Sequence, residues 1–417
     1  MKKIKVGVFG AYRGMTMIQV LATHPDAELV AVCDKYKPAL NNVAETAKKH
    51  NLNVALYENF GDFIKHEMDA VVLANYANEH APFAIRCLQA GLHVMSEVLP
   101  CETMAQAVAL IEAVEASGKV YTYAENYCYM QNTFEMWRRY EKGDIGEIQY
   151  GEGEYIHDCS SIWPDITYGE RNHWRNQMYS TFYCTHSLGP LITISGRRPV
   201  QVVGFETNMN KDRPLLAPFC RSGGIQMVTL DNGAILKSIH GSLKREPGSI
   251  NYEVYGTKGM MESDRWDSTK VSAYLEEKLC QGSLSHYSPQ PFIAPEQVSK
   301  FSGHGGSDFY STHFFLEKII GNPDGEKYAI NVYTAVEMGI CGILAYRSIL
   351  NGNVPVTVPN LRNKSERDAY RNDHACTNPA VAGKQLLPVT PQYDTKQIPD
   401  SEFARVRNLW EEGKKDE

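Results

Sequence analysis

The stretch Ile4-Lys5-Val6-Gly7-Val8-Phe9-Gly10-Ala11-Tyr12-Arg13-Gly14-Met15 runs a short apolar strand into a turn bearing two glycines, and a helical pattern starts at once. Such a turn lets backbone N–H groups approach a diphosphate at the positive end of a helix dipole. The spacing departs from G-x-G-x-x-G, because Tyr12 stands where the middle glycine would be. Asp34 closes the next apolar run, 34 − 14 = 20 residues beyond Gly14. A carboxylate there accepts hydrogen bonds from both adenosine ribose hydroxyls and repels a 2′-phosphate, so NAD is favoured over NADP. Lys35 and Lys37 are the opposing charges. Gly10, Tyr12, Arg13, Gly14 and Asp34 are the first cofactor-binding candidates.

Working outward, apolar runs at Ile4–Phe9, Leu29–Cys33, Asp69–Ala74, His93–Met95 and Val120–Tyr123 alternate with amphipathic patterns. The latter, at Met15–Thr23, Pro38–His50, Ala81–Gln89 and Thr103–Ser117, repeat at three-and-four spacing. Gly91 and Gly118 follow two of these patterns, where left-handed caps belong. Strand–helix alternation with continuous apolar strands predicts a Rossmann-type, doubly wound parallel sheet over residues 1–126.

The rhythm changes after about residue 145. Period-two stretches at Glu147–Tyr155, Val200–Glu206, Gln226–Leu230, Ala234–Ser242 and Asn251–Tyr255 predict an open, largely antiparallel sheet with one wet face. Asp231-Asn232-Gly233 reads as a hairpin turn between two of them. A long helix is predicted at Asn331–Leu350, within a second α/β domain spanning 127–358. Residues 359–417, polar and punctuated by proline, read as an arm wrapping the surface with a short helix around Glu402–Glu412.

Composition narrows the classes. The 417 residues allow two or three domains, and 43% hydrophobic with 22% charged residues is globular rather than disordered. A net charge of −7 argues against nucleic-acid binding by the whole surface. No apolar run reaches the ~18–20 residues expected of a membrane span. Lys5 and the early glycines do not suit a signal peptide. The ten cysteines contain no C-x-x-C pair, so neither a disulfide framework nor a zinc ribbon is indicated. The expectation is a reduced, soluble, cytoplasmic protein.

The motifs resemble the Gfo/Idh/MocA family, named for glucose–fructose oxidoreductase and inositol dehydrogenase, over roughly residues 3–358. Members commonly carry Glu-Lys-Pro after the fifth strand, with the lysine serving hydride transfer. Here Ser96-Glu97-Val98-Leu99-Pro100 keeps the glutamate and lacks the lysine. That departure is similar to the family's NAD-dependent glycosidase branch, typified by α-N-acetylgalactosaminidases, whose motif is Ser-Glu-Val-Pro. Further matches are Ala124-Glu125-Asn126-Tyr127-Cys128-Tyr129, Tyr155-Ile156-His157-Asp158, Tyr183-Cys184-Thr185-His186-Ser187-Leu188-Gly189-Pro190 and Gly303–Asp308. The resemblance implies that Tyr183 and His186 contact substrate, and that Glu97, Val98 and Asn126 contact NAD. It also sets His80, in the loop opened by Asn75, near the nicotinamide; both join the cofactor candidates. Self-association into a dimer or tetramer is implied by the open sheet.

Without a lysine, the chemistry falls to histidine and tyrosine. Oxidising a ring hydroxyl beside carbon 2 acidifies the carbon 2 hydrogen; the aglycone then leaves by elimination, water adds and the hydride returns. Such a path needs acid/base groups at the hydroxyl, the carbon and the leaving oxygen. His186 is the expected acid/base at the hydroxyl, with Tyr183 three residues earlier facing the same pocket. Tyr155 and His157, two apart on a strand, share a face. Trp174 and Arg175, after His173, suit sugar recognition by an aromatic face and a guanidinium. In the glycine-rich Gly303–Gly306 stretch His304 is a further substrate-binding candidate, and Asp308 is expected to cap the helix that follows. A metal centre from His157, Asp158, His173 and His186 matches no ligand spacing, so none is assigned. Two alternatives stand beside glycoside cleavage: a plain NAD-dependent sugar or inositol-type dehydrogenase, and a non-catalytic NAD(H) sensor.

Overall fold

Six strands build the first sheet: β1 (Ile4–Phe9), β2 (Ala27–Cys33), β3 (Ala55–Tyr57), β4 (Ala70–Leu73), β5 (His93–Ser96) and β6 (Tyr121–Tyr123). The computed structural model describes residues 2–210, 222–278, 281–293, 298, 303–392 and 398–414. The strands pair in the order β3-β2-β1-β4-β5-β6, all parallel. The order reverses between β1 and β4, and the crevice at that reversal is where doubly wound sheets bind ligands. Val6 and Val8 pack with Met17, Ile18 and Leu21 of the Met15–Thr23 helix and with Phe315 and Leu316 of the Ser307–Ile320 helix. A late segment of the chain therefore covers one face of the early sheet. β3 escapes the sequence reading because its three residues, partly buried or exposed, are too few to show a period.

Among the described residues the second sheet has nine strands: β7 (Ile148–Ile156), β8 (Pro199–Glu206), β9 (Gly223–Leu230), β10 (Ile235–Gly241), β11 (Ser249–Gly256), β12 (Gly259–Ser263), β13 (Val271–Lys278), β14 (Gln281–Tyr287) and β15 (Val356–Thr357). Their order is β14-β13-β12-β11-β7-β10-β9-β8-β15. Only β7 and β10 run parallel; the other neighbours are antiparallel. The predicted turn at Asp231–Gly233 joins β9 to β10, with Asn232 Oδ1 accepting from Ala234 N at 3.1 Å. β14 was not expected because Gln281–Tyr287 is exposed along almost its whole length and carries no apolar alternation.

Helices Thr185–Ser195 and Val332–Leu350 lie against this sheet, the first on β7 and β10 and the second on β8. Every residue of Thr185–Ser195 is buried. Contrary to the expectation that no segment could span a membrane, Pro323–Leu350 is long and apolar enough by length and composition. Its most apolar window is 83% buried inside the protein. Glu337 and Arg347 interrupt the run in sequence, while the helix serves as core between the elements around it.

The final segment does more than wrap a surface. Arg367 is fully buried and grips Glu115 with two bonds of 2.6 and 2.8 Å. The chain then reaches the Asp400–Glu411 helix. Eight described cysteines are free and buried, Cys33 having its thiol pushed up to about 12 by burial; Cys220 and Cys280 lie outside the described residues.

Candidate active site

A cleft of about 720 Å³ opens above the β1 turn and the ends of β2 and β4, lined by Gly10, Tyr12, Arg13, Asp34, Asn75 and Glu97 among others. Gly10 has φ +98°, and a Cβ there would stand 2.3 Å from the Ala74 carbonyl oxygen, so only glycine lets the turn close against β4. The helix that follows has no side-chain cap and no acid in its first turn, which leaves its positive end for an anion. Asp34 sits just past β2, where Oδ2 accepts from Ala11 N at 2.6 Å and Oδ1 from Tyr36 N at 2.8 Å. It both ties the turn and faces the cleft. Asn75 Oδ1 is buried without a partner, an acceptor awaiting a donor. Turn, helix end, carboxylate and orphan acceptor together fit a dinucleotide.

Arg13, a cofactor-binding candidate from sequence, is engaged by two carboxylates. Its guanidinium reaches Glu97 Oε1 at 2.5 Å and Asp308 Oδ1 at 3.0 Å, joining the β1 turn, the β5 loop and the Ser307–Ile320 helix. Burial raises Glu97; burial also pushes Asp308 upward, but His304 and Arg13 outweigh it and hold that carboxyl well below its usual range. Asp308 is thus not the helix cap expected from sequence. Gly306 holds the cap position, and the Asp308 side chain takes Arg13, His304 at 3.1 Å and Asn126 at 3.3 Å. His80 is buried with Nδ1 3.1 Å from the Leu99 carbonyl and Nε2 3.2 Å from that of Asn75, and burial lowers it to about 4. It lines the cleft and braces the loops around Val98.

Beside this cleft the Thr185–Ser195 helix presents His186. Its Nδ1 lies 2.7 Å from Glu125 Oε1, and Glu125 is fully buried. A carboxylate at Nδ1 keeps the ring proton there and leaves Nε2 with its lone pair. Three tyrosines ring the imidazole, with centroids at 4.3 Å (Tyr127), 4.9 Å (Tyr155) and 4.9 Å (Tyr183). Burial raises Tyr155 well above its ordinary range and raises Tyr183 against the pull of Arg175. These phenols stay protonated and act as donors, not as bases. Tyr155 OH lies 3.2 Å from His157 Nδ1, and burial together with Arg175 lowers His157, so that ring is neutral at neutral pH.

The structure brings His186, Tyr183, Tyr155 and His157 into one cluster. Trp174 and Arg175 reach the cleft, but the guanidinium lies 4.3 Å over the Trp174 ring, so that aromatic face is already stacked. His304 stands on the Asp308 side, 6.1 Å from Tyr127. Asp158 pairs with Lys244 at 2.9 Å and His173 packs on Tyr76, away from His186. Among the described residues no group of three His, Cys, Asp or Glu could hold a metal. Sequence reasoning missed Glu125 as the partner of His186 and Asp308 as the partner of Arg13. It also missed Arg407 and Trp410, which line the cleft from the last helix. A lone tryptophan in a polar tail was the available signal.

This geometry defines an NAD-binding oxidoreductase fold. Residues 4–125 match the Gfo/Idh/MocA model described as "Oxidoreductase family, NAD-binding Rossmann fold", and residues 207–366 match "Glycosyl hydrolase 109, C-terminal domain". The two matched segments are thus similar to a Gfo/Idh/MocA NAD-binding domain and to a glycosyl hydrolase 109 C-terminal domain, and the curated relatives that the chain matches include glycosyl hydrolase family 109 proteins. Among them, glycosyl hydrolase family 109 protein 1 of Phocaeicola vulgatus is 27% identical, covering 89% of this chain and 87% of that protein. The family 109 protein of Porphyromonas gingivalis is 24% identical, covering 86% and 84%. Among solved structures, levoglucosan dehydrogenase in complex with NADH and levoglucosan superposes with a TM-score of 0.69 at 17% identity, over 86% of this chain and 100% of that one. Myo-inositol 2-dehydrogenase of Lactobacillus plantarum gives 0.66 at 17% identity, over 86% and 100%. These two likenesses concern the fold.

Proposed function

We propose that this protein is an NAD-dependent glycosidase acting on a small carbohydrate glycoside by transient oxidation of the ring hydroxyl at carbon 3. The observation that carries the reading is the buried Glu125–His186 pair, ringed by tyrosines, beside a cofactor loop that has no lysine. NAD, when bound, supplies a reversible hydride acceptor to the sugar; Asp34, Asn75, Glu97 and Val98 would hold it. His186 Nε2 takes the hydroxyl proton as carbon 3 becomes a ketone, and Glu125 stabilises the resulting imidazolium. The ketone acidifies the hydrogen at carbon 2. His157 takes the proton from carbon 2 and Tyr155, joined to it by a hydrogen bond, donates to the leaving oxygen, while Tyr183 donates to the sugar. Water then adds across carbons 1 and 2 and the ketone is reduced again, so the net reaction is hydrolysis.

The relatives named glycosyl hydrolase family 109 support this reading over net oxidation. Aryl glycosides incubated with and without NAD test it. Aglycone release that needs NAD yet accumulates no NADH is the expected outcome. Stoichiometric NADH without aglycone release would make it a sugar dehydrogenase, and tight NAD binding with neither product a sensor.

A further inference from the structure

The Asp400–Glu411 helix lies outside both matched segments, yet its Arg407 and Trp410 line the nucleotide cleft together with Asp34 and Tyr36. The Trp410 ring stands 5.7 Å from Tyr36 and 5.3 Å, edge-on, from Tyr168, and the Arg407 guanidinium lies 5.3 Å from the same indole. Tyr36 follows the ribose-facing Asp34 by two residues, so Trp410 stands at the adenosine end. Phe403, Val406 and Trp410 recur at helical spacing and turn one face of the helix inward. Val406 is buried, and Phe403 lies 4.5 Å under the guanidinium of Arg171, which also pairs with Asp400. A Cβ on Gly169 would stand 2.5 Å from Arg407 N, so the segment after Tyr168 receives the helix backbone directly.

We propose that the Asp400–Glu411 helix is an adenosine clasp, in which Trp410 and Arg407 hold the cofactor's adenosine half and the helix must lift before the cofactor leaves. The proposal rests on the assignment of this cleft to NAD. Aromatic faces stack on bases, and a guanidinium beside them adds a cation. A reaction that takes a hydride and returns it within one turnover is served by a cofactor that stays bound.

Full-length protein loaded with NADH and mixed with excess NAD reports release as a loss of NADH fluorescence. Trp410→Ala is expected to speed release about tenfold, the loss of one stacked base contact. Phe403→Ala, at a residue outside the cleft lining, is expected to speed it as well by loosening the helix. Hydrogen exchange over residues 400–411 of the unmodified protein should slow when NADH binds. Unchanged release in both folded variants, or exchange indifferent to NADH, overturns the clasp while leaving the cofactor site intact. Failure of the unmodified protein to bind NADH overturns the cleft assignment and the clasp with it.

Discussion

The Glu125 carboxylate reaches His186 Nδ1 at 2.7 Å across 61 residues of sequence. One partner follows β6 and the other lies in the first turn of a fully buried helix packed on the second sheet, so the pair joins the two halves of the protein. Glu125→Gln keeps the shape and removes the charge that fixes the ring's tautomer. Turnover is expected to fall by ~10²–10⁴-fold, the range of a general acid/base contribution. NADH binding, followed by fluorescence titration, should be nearly unchanged. Equal rates in variant and parent would remove His186 from the chemistry.

Asp34 tests the cofactor end. Asp34→Ala deletes the acceptor facing the ribose and releases the Ala11 and Tyr36 amides. Loss of charge-assisted hydrogen bonds worth ~1.5–3 kcal/mol corresponds to a roughly 10–100-fold weaker NAD complex. Discrimination against NADP should narrow in the same titrations. An unaltered preference would contradict the ribose role.

Arg13 is the cation between two buried carboxylates. Arg13→Met leaves Glu97 and Asp308 facing each other without it, and breaking buried pairs of this kind costs about 3–5 kcal/mol. Urea unfolding of the cofactor-free protein should show that loss. Adding Glu97→Gln to Arg13→Met should recover part of it by removing one of the stranded charges.

The arm makes a pH-dependent contribution through Glu115. Hydrogen bonding from Arg367 holds its carboxyl at about 2, against an ordinary 4.5. A carboxyl group lowered in the folded state adds stability in full above its unfolded value, and that stability is lost as pH falls toward the folded one. The window runs from about pH 4.5 down to about pH 2. Allowing for the partial exposure of Glu115, Glu115→Gln should lower the unfolding free energy by about 2–3 kcal/mol at pH 7. The gap between variant and parent should close near pH 2. A gap independent of pH would show that the pair is not the cause.

What could be read from sequence was local. β1, its glycine turn and Asp34 lie within one βαβ stretch, so spacing alone points to the nucleotide cleft. The hairpin at Asp231–Gly233 is local in the same sense. Tyr155 and His157 share a face because strand geometry requires it. Glu125 stayed hidden because its partner lies on a distant helix, and motif reading had assigned the neighbouring Asn126 instead. Arg13 stood only as a cofactor-binding candidate because Asp308, 295 residues away, comes into contact with it only through folding. Trp410 lay within a helix legible in sequence, but spacing along that helix could not say which cleft it would border.

The central claim is transient oxidation with the hydride returned. The most direct measurement is cleavage of an aryl glycoside in D₂O by protein carrying NAD, with the sugar product examined by NMR. Aglycone release with deuterium at carbon 2 and no net NADH is the predicted result. Hydrolysis with the original hydrogen retained at carbon 2, or NADH formed in step with substrate loss, would contradict it.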